Sequence, residues 1–75
     1  MKLPVVSGND VIKLLKREGF AVVRQRGSHV SLHKKTDDKT MLVVVPLKKE
    51  IKKGTLLSII KQAGMSREEF ISKVK

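Results

Sequence analysis

The start of the chain has the hydrophobic pattern of an amphipathic helix. The stretch VSGNDVIKLLKREGF places apolar residues at helical spacing and turns its lysines outward. Ser7, with Asp10 three residues later, is typical of an N-cap in a capping box, and Gly19 suits the left-handed residue that ends a helix. The pattern predicts a helix over residues 8–18, whose buried side is formed by Val11, Ile12, Leu14 and Leu15.

Three strand-like runs follow, at residues 20–26, 28–34 and 40–45. Gly27 forms a tight connection between the first two runs, and KTDDKT is a polar turn before the third. Pro46 is expected to stop the third strand, because proline has no N–H to donate to a ladder. The second run alternates cleanly, so one face carries Val30 and Leu32 and the other carries His29, Ser31 and His33. We expect the helices to cover the first face and leave the histidines on the open one.

The last third of the chain predicts two more helices. In LKKEIKKGTLLSIIKQAG the apolar positions again recur at helical spacing, with Gly64 ending the helix. Ser66 and Glu69 then form a second capping-box pattern ahead of a short terminal helix that turns Phe70 inward. The fold class is therefore α+β, with the α-β-β-β-α order of a double-stranded-RNA-binding domain. We expect one domain over residues 1–75, with both main helices on one face of a three-stranded antiparallel sheet.

Net charge narrows the choice of partner. Seventeen lysines and arginines against seven acidic residues give +10 on 75 residues, which favours a polyanionic partner. Nucleic acid is the first choice, an acidic protein the second and an anionic membrane the third. No apolar run approaches the length of a membrane span, and the chain has no cysteine, which excludes disulfides and thiolate chemistry. A cytoplasmic protein is the expectation.

The two aromatic residues, Phe20 and Phe70, both fall in apolar patterns that assign them to the core. Single-stranded RNA is usually bound by stacking its bases on exposed aromatic rings. An RNA partner would therefore be held mainly through its backbone and shape. A cluster of lysines at the start of the second long helix suits this, because a helix N-terminus favours phosphate. A solvated loop is the alternative for this cluster, which comprises Lys48, Lys49, Lys52 and Lys53.

The two histidines are candidates for chemistry. They lie four residues apart on one predicted strand, a separation of about 13 Å, which is too far for a shared metal ion or an acid–base pair on one phosphate. His29 is the better candidate for a general base, because Gly27 allows close approach and Ser28 is a small polar neighbour. It could take the 2′-hydroxyl proton of RNA without a metal or other cofactor. His33 is interpreted as structural, and no carboxylate completes a serine-hydrolase triad.

Four segments are distinctive in this order: SGNDVIKLLKREGF, RQRGSHVSL, VVVP and KKGTLLSIIKQAGMSREEF. Together they resemble the HicA family of mRNA-interferase toxins. The resemblance covers residues 7–70 and implies a double-stranded-RNA-binding-like fold, ribosome-independent cleavage of mRNA and inhibition by a HicB antitoxin. It also places the family's catalytic histidine at His29, within Gly27-Ser28-His29. One departure is Lys48, which stands where many relatives carry a histidine after the proline; lysine holds phosphate but is a poor base.

The sequence is compatible with three functions. In the first, the protein is an endoribonuclease toxin with His29 as base and an acidic HicB-type antitoxin as partner. In the second, it is a non-catalytic double-stranded-RNA-binding module of the same fold. In the third, its basic face binds only an acidic protein. Under the first, phosphates are positioned by Arg24, Arg26, Lys48, Lys49, Lys52 and Lys53.

Overall fold

A computed structural model describes residues 3–74. The predicted order of elements is confirmed, as is the extra terminal helix. No helix in this part of the chain is long and apolar enough to cross a membrane. The elements are α1 (Gly8–Arg17), β1 (Ala21–Arg26), β2 (His29–Lys35), β3 (Thr40–Pro46), α2 (Lys53–Gln62) and α3 (Arg67–Val74).

The three strands form one antiparallel sheet in the order β1-β2-β3. Four strand ends differ by one residue from the prediction: β1 begins at Ala21, β2 runs from His29 to Lys35, and β3 includes Pro46. Ser28 therefore lies in the turn before β2. Pro46 is accommodated because the next amide, that of Leu47, donates to the Ser28 carbonyl at 2.6 Å. The nitrogen of Pro46 therefore faces the free edge of β3, where no ladder hydrogen bond is lost.

One face of the sheet is buried against the helices. The inward residues of β2 and β3 are Val30, Leu32, Val43 and Val45, each at most 4% exposed. They pack in one cluster with apolar side chains of all three helices, and the predicted placement of both phenylalanines in the core is confirmed. The helices supply Val11, Leu14, Leu15, Leu56, Ile59, Ile60 and Phe70 to this core.

Side chains cap the first and third helices as the sequence predicts. The Ser7 hydroxyl accepts from the Asp10 amide, and the Ser7 amide donates to the Asp10 carboxylate, both at 3.1 Å. The hydrogen bond from the Ser7 amide to the carboxylate, together with the Ser7 hydroxyl, holds the pKa of Asp10 below its ordinary value. Ser66 and Glu69 make the same reciprocal pair at α3. Each of these two helix starts therefore already holds a carboxylate.

Helix α3 is fixed against α1 by polar contacts as well as by its buried phenylalanine. The Lys73 ammonium pairs with the Glu18 carboxylate at 2.5 Å, and the Arg17 guanidinium donates to the Lys73 carbonyl at 2.9 Å. Both contacts are on partly or fully exposed side chains, where ion pairs contribute little. Burial of Phe70, at 1% exposure, is therefore the main force that holds α3 in place.

Candidate functional site

His29 lies at the first position of β2, on the face of the sheet away from the helices, and its side chain is exposed. In the antiparallel register it stands opposite Arg26 on β1 and opposite Pro46 on β3. Side chains of directly opposed residues have Cβ atoms about 5 Å apart and point to the same face. The imidazole is therefore open to solvent with a guanidinium on the neighbouring strand.

The next set of paired residues on the open face is Arg24 on β1, Ser31 on β2 and Val44 on β3. Arg24 is diagonal to His29, at about 7–8 Å between Cβ atoms, which a long side chain can span. A β-bulge lies between Val22 and Arg24, and bulges shift which side chains face each side of a strand. Both arginines of β1 consequently flank the same side of the imidazole.

His33 is remote from His29 although it shares the open face. It stands opposite Ala21 and Leu42, four residues along β2, at a distance of about 13 Å. It is partly buried. In residues 3–74 no three histidine, aspartate or glutamate side chains converge as metal ligands would.

The turn before His29 has free space beside Gly27 and a hydrogen bond to the loop after β3 at Ser28. Gly27 has a φ of 56°, in the left-handed region that favours glycine, and nothing lies within 4 Å of the position of an added Cβ. The following residue, Ser28, accepts a hydrogen bond from the Leu47 amide through its carbonyl. The loop after β3 therefore lies directly beside the start of β2.

The four lysines of the predicted cluster are all exposed, but they separate into two pairs. Lys48 and Lys49 line a depression with Ser7 and Asn9 at the start of α1. Lys52 and Lys53 line another, which also contains Glu50 and the apolar residues Leu3 and Leu56. Lys48 and Lys49 directly follow Leu47, whose amide is bonded to Ser28, the residue before His29. The sequence placed all four lysines at the start of the second long helix, whereas Lys48 and Lys49 line a depression at the start of α1.

The start of α2 differs from the other two helix starts. Its N-cap is Lys52, and within the described residues no side chain caps it and its first turn contains no acidic residue. The N-terminus of a helix carries free N–H groups and partial positive charge. With two lysines beside it, this end favours an anion from solution, whereas α1 and α3 hold carboxylates of their own.

Sequence reasoning missed the apolar part of the open face. Leu42 and Val44 are 56% and 41% exposed on β3, beside the polar side chains of β2. The run TMLVVVP is apolar at nearly every position, so alternation could not show which of its residues face solvent. The pairing with β2 settles this, because partners of His33 and Ser31 must share their face.

The fold is that of a small α+β domain similar to double-stranded-RNA-binding domains, and one exposed imidazole lies beside arginines on its open sheet face. A family model described as the HicA toxin of bacterial toxin–antitoxin systems matches residues 8–65. The chain therefore belongs to the HicA toxin family, which implies an antitoxin as partner. Curated proteins include no significant match to this chain.

Proposed function

We propose that this HicA-family toxin is a metal-independent endoribonuclease that cleaves mRNA with His29 as the general base. The observation that carries the proposal is the position of His29: exposed, on the open face, and directly opposite Arg26. A base must reach its substrate, and an imidazole exchanges protons near neutral pH. A buried or carboxylate-paired ring at this position would not serve the same purpose.

In the proposed reaction His29 takes the proton of a ribose 2′-hydroxyl. The 2′ oxygen then attacks the adjacent phosphorus, and the bond from phosphorus to the 5′ oxygen breaks. The leaving 5′ oxygen gains a proton from water, and the resulting hydroxide takes the proton held by His29, which restores the neutral imidazole. The products are a 2′,3′-cyclic phosphate and a 5′-hydroxyl. Arg26 and Arg24 offset the negative charge that grows on the phosphate oxygens in the transition state.

The lysine pairs extend this cationic surface along the substrate backbone. Lys48 and Lys49 adjoin the loop that contacts Ser28, and Lys52 and Lys53 stand at the uncapped start of α2. Phosphates flanking the scissile bond would bind there, while bases need no aromatic platform. The proposed partners are therefore mRNA in the cytoplasm and a HicB-type antitoxin with an acidic contact surface.

The nature of the nucleophile can be tested directly. We expect purified protein to cut an mRNA transcript, but not the 2′-deoxy or 2′-O-methyl version of the same sequence, because each lacks the attacking hydroxyl. Product ends should accept a phosphate from polynucleotide kinase without prior phosphatase treatment, and EDTA should leave the rate unchanged. Cleavage of the deoxy strand, or its loss in EDTA, would contradict the mechanism. Intact RNA with salt-sensitive binding would instead support the non-catalytic double-stranded-RNA-binding module.

Arg26 should contribute to phosphate binding beside His29. We expect Arg26→Gln to weaken RNA binding and to reduce the slope of log affinity against log salt by about 0.7–1, the effect of one lost phosphate contact. The matched control is Arg67→Gln, on α3 in the helix layer, which should leave the slope unchanged. Affinity measured by anisotropy over a salt series checks both. Equal slopes for the parent and Arg26→Gln would remove Arg26 from the site.

A further inference from the structure

We infer that Gly8 is a positioning residue for His29, and this inference rests on the proposed function. Because Gly8 has no Cβ, the first turn of α1 can contact the backbone of residues 46–48 closely. That loop in turn fixes the start of β2, where His29 lies. We call the contact between Gly8 and residues 46–48 the α1 clasp.

The clasp consists of one hydrogen bond and one close approach. The Gly8 amide donates to the Lys48 carbonyl at 2.8 Å. A Cβ added at Gly8 would lie closer than 3.0 Å to the Pro46 carbonyl oxygen, and 3.1 Å from the Leu47 Cα. Both neighbours are backbone atoms, so no side chain can swing aside to make room.

The clasp also explains a glycine that the backbone conformation does not require. The φ angle of Gly8 is not positive, unlike those of Gly19, Gly27 and Gly64. In an ordinary helical conformation glycine costs about 1 kcal/mol relative to alanine. Gly8 is buried, whereas a Cβ at Gly54, the other helical glycine, would meet open space. Lack of space beside Pro46 is therefore the reason for glycine at this position.

Two backbone contacts connect the clasp with the strand end that carries His29. The Leu47 amide donates to the Ser28 carbonyl at 2.6 Å, and Pro46 pairs with His29 across the strands. The Lys48 amide donates to the Pro46 carbonyl at 3.0 Å, a hydrogen bond within the loop itself. A displacement of residues 46–48 therefore moves Lys48 itself and the start of β2, which carries His29.

We expect Gly8→Ala to lower the turnover number for RNA cleavage by about 10–100-fold, because a misplacement near 1 Å costs about 100-fold in a positioned reaction. KM should change less, because Lys48 is the one phosphate-binding cation in the displaced loop and the arginines and other lysines remain. In NMR spectra the ring protons of His29 should shift while those of His33, about 13 Å away, stay in place. The histidine pair thus supplies a reporter and an internal reference in the same molecule.

Two control variants separate positioning from lost stability. Ser66→Ala removes the cap of α3, about 1 kcal/mol, far from the clasp, and should leave the turnover number and the His29 signals unchanged. Gly54→Ala makes the same chemical change where space is free, and should also leave the His29 signals in place. If Gly8→Ala lowers only the melting temperature, with turnover and His29 signals as in the parent, the inference is wrong.

A measurement on the parent protein covers the case in which Gly8→Ala does not fold. The clasp predicts that the Gly8 and Leu47 amides exchange with solvent as slowly as amides within the sheet, although first-turn helical amides ordinarily exchange fast. Fast exchange at both would overturn the inference. If the parent does not cleave RNA, the proposed function fails, and the His29 signals still decide whether the clasp positions this ring.

Discussion

Replacing His29 with alanine is expected to lower RNA cleavage by about 10²–10⁴-fold, the usual contribution of a positioned general base. The variant should stay folded, because the His29 side chain is exposed on the open face and belongs to no part of the core. Initial rates at saturating RNA check the first statement, and circular dichroism with a melting curve checks the second. Cleavage by the folded variant at the parent rate would remove His29 as the base.

The same strand provides the matched control. His33 shares the open face of β2 with His29 but stands opposite Ala21 and Leu42 instead of an arginine. His33→Ala should therefore keep the parent rate to within a small factor. An equal loss in both variants would show that the sheet as a whole, and not one imidazole, is needed.

A third variant separates basicity from charge. His29→Lys places a permanent cation at the position, because an ammonium group stays protonated near neutrality and is a poor base. If His29 acts by accepting a proton, this variant should be nearly as slow as His29→Ala while it still binds RNA. Substantial activity would mean that the position requires only a positive charge. Lys48, which lies in the loop contacting Ser28, would then be a candidate for the same task.

The elements predicted best from sequence are those specified by local chemistry. Both capping boxes were visible as a serine with an acidic residue three positions later, and both are formed in the structure. The alternation of β2 correctly assigned its two faces, because each face has a distinct chemical character. These features depend on residues close together in the chain, which is why a single sequence is enough to predict them.

The features that sequence reasoning could not supply depend on pairing between distant segments. Arg26 and His29 are opposed only because the turn at Gly27 sets the register of β1 against β2. The lysines lie close together in sequence, yet Lys48 and Lys49 line a depression at the start of α1, and Lys52 and Lys53 line another at the start of α2. Likewise the requirement for glycine at position 8 comes from the Pro46 carbonyl, which is far away in sequence. The candidate site is thus predictable by residue type but not by arrangement.

The terminal helix raises a separate question, because the family match ends at residue 65 and α3 begins at Arg67. Phe70 is nevertheless the largest fully buried side chain among the described residues. It packs in the same cluster as Leu14, Leu15 and Leu56 from the other two helices. We therefore expect α3 to be part of the cooperative fold even though it lies beyond the matched region.

Phe70→Ala should accordingly cause the largest loss of stability of any change considered. Removing a buried phenylalanine side chain costs about 3–5 kcal/mol, while a chain of this size has a total free energy of unfolding of roughly 4–11 kcal/mol. The variant should be largely unfolded at moderate urea concentrations and melt at least about 12 °C below the parent. Urea unfolding followed by circular dichroism is the suitable measurement, because the chain has no tryptophan or tyrosine for fluorescence.

The size of the loss in Phe70→Ala depends on α3 unfolding together with the rest of the domain. If α3 instead detaches by itself, the melting curve of the sheet would stay near that of the parent and only amides of residues 67–74 would exchange faster. Phe70→Leu, which keeps most of the buried volume, should lose much less than Phe70→Ala. A parent-like urea midpoint for Phe70→Ala would place α3 outside the core. It would also limit the cooperative unit to the region that the HicA family model matches.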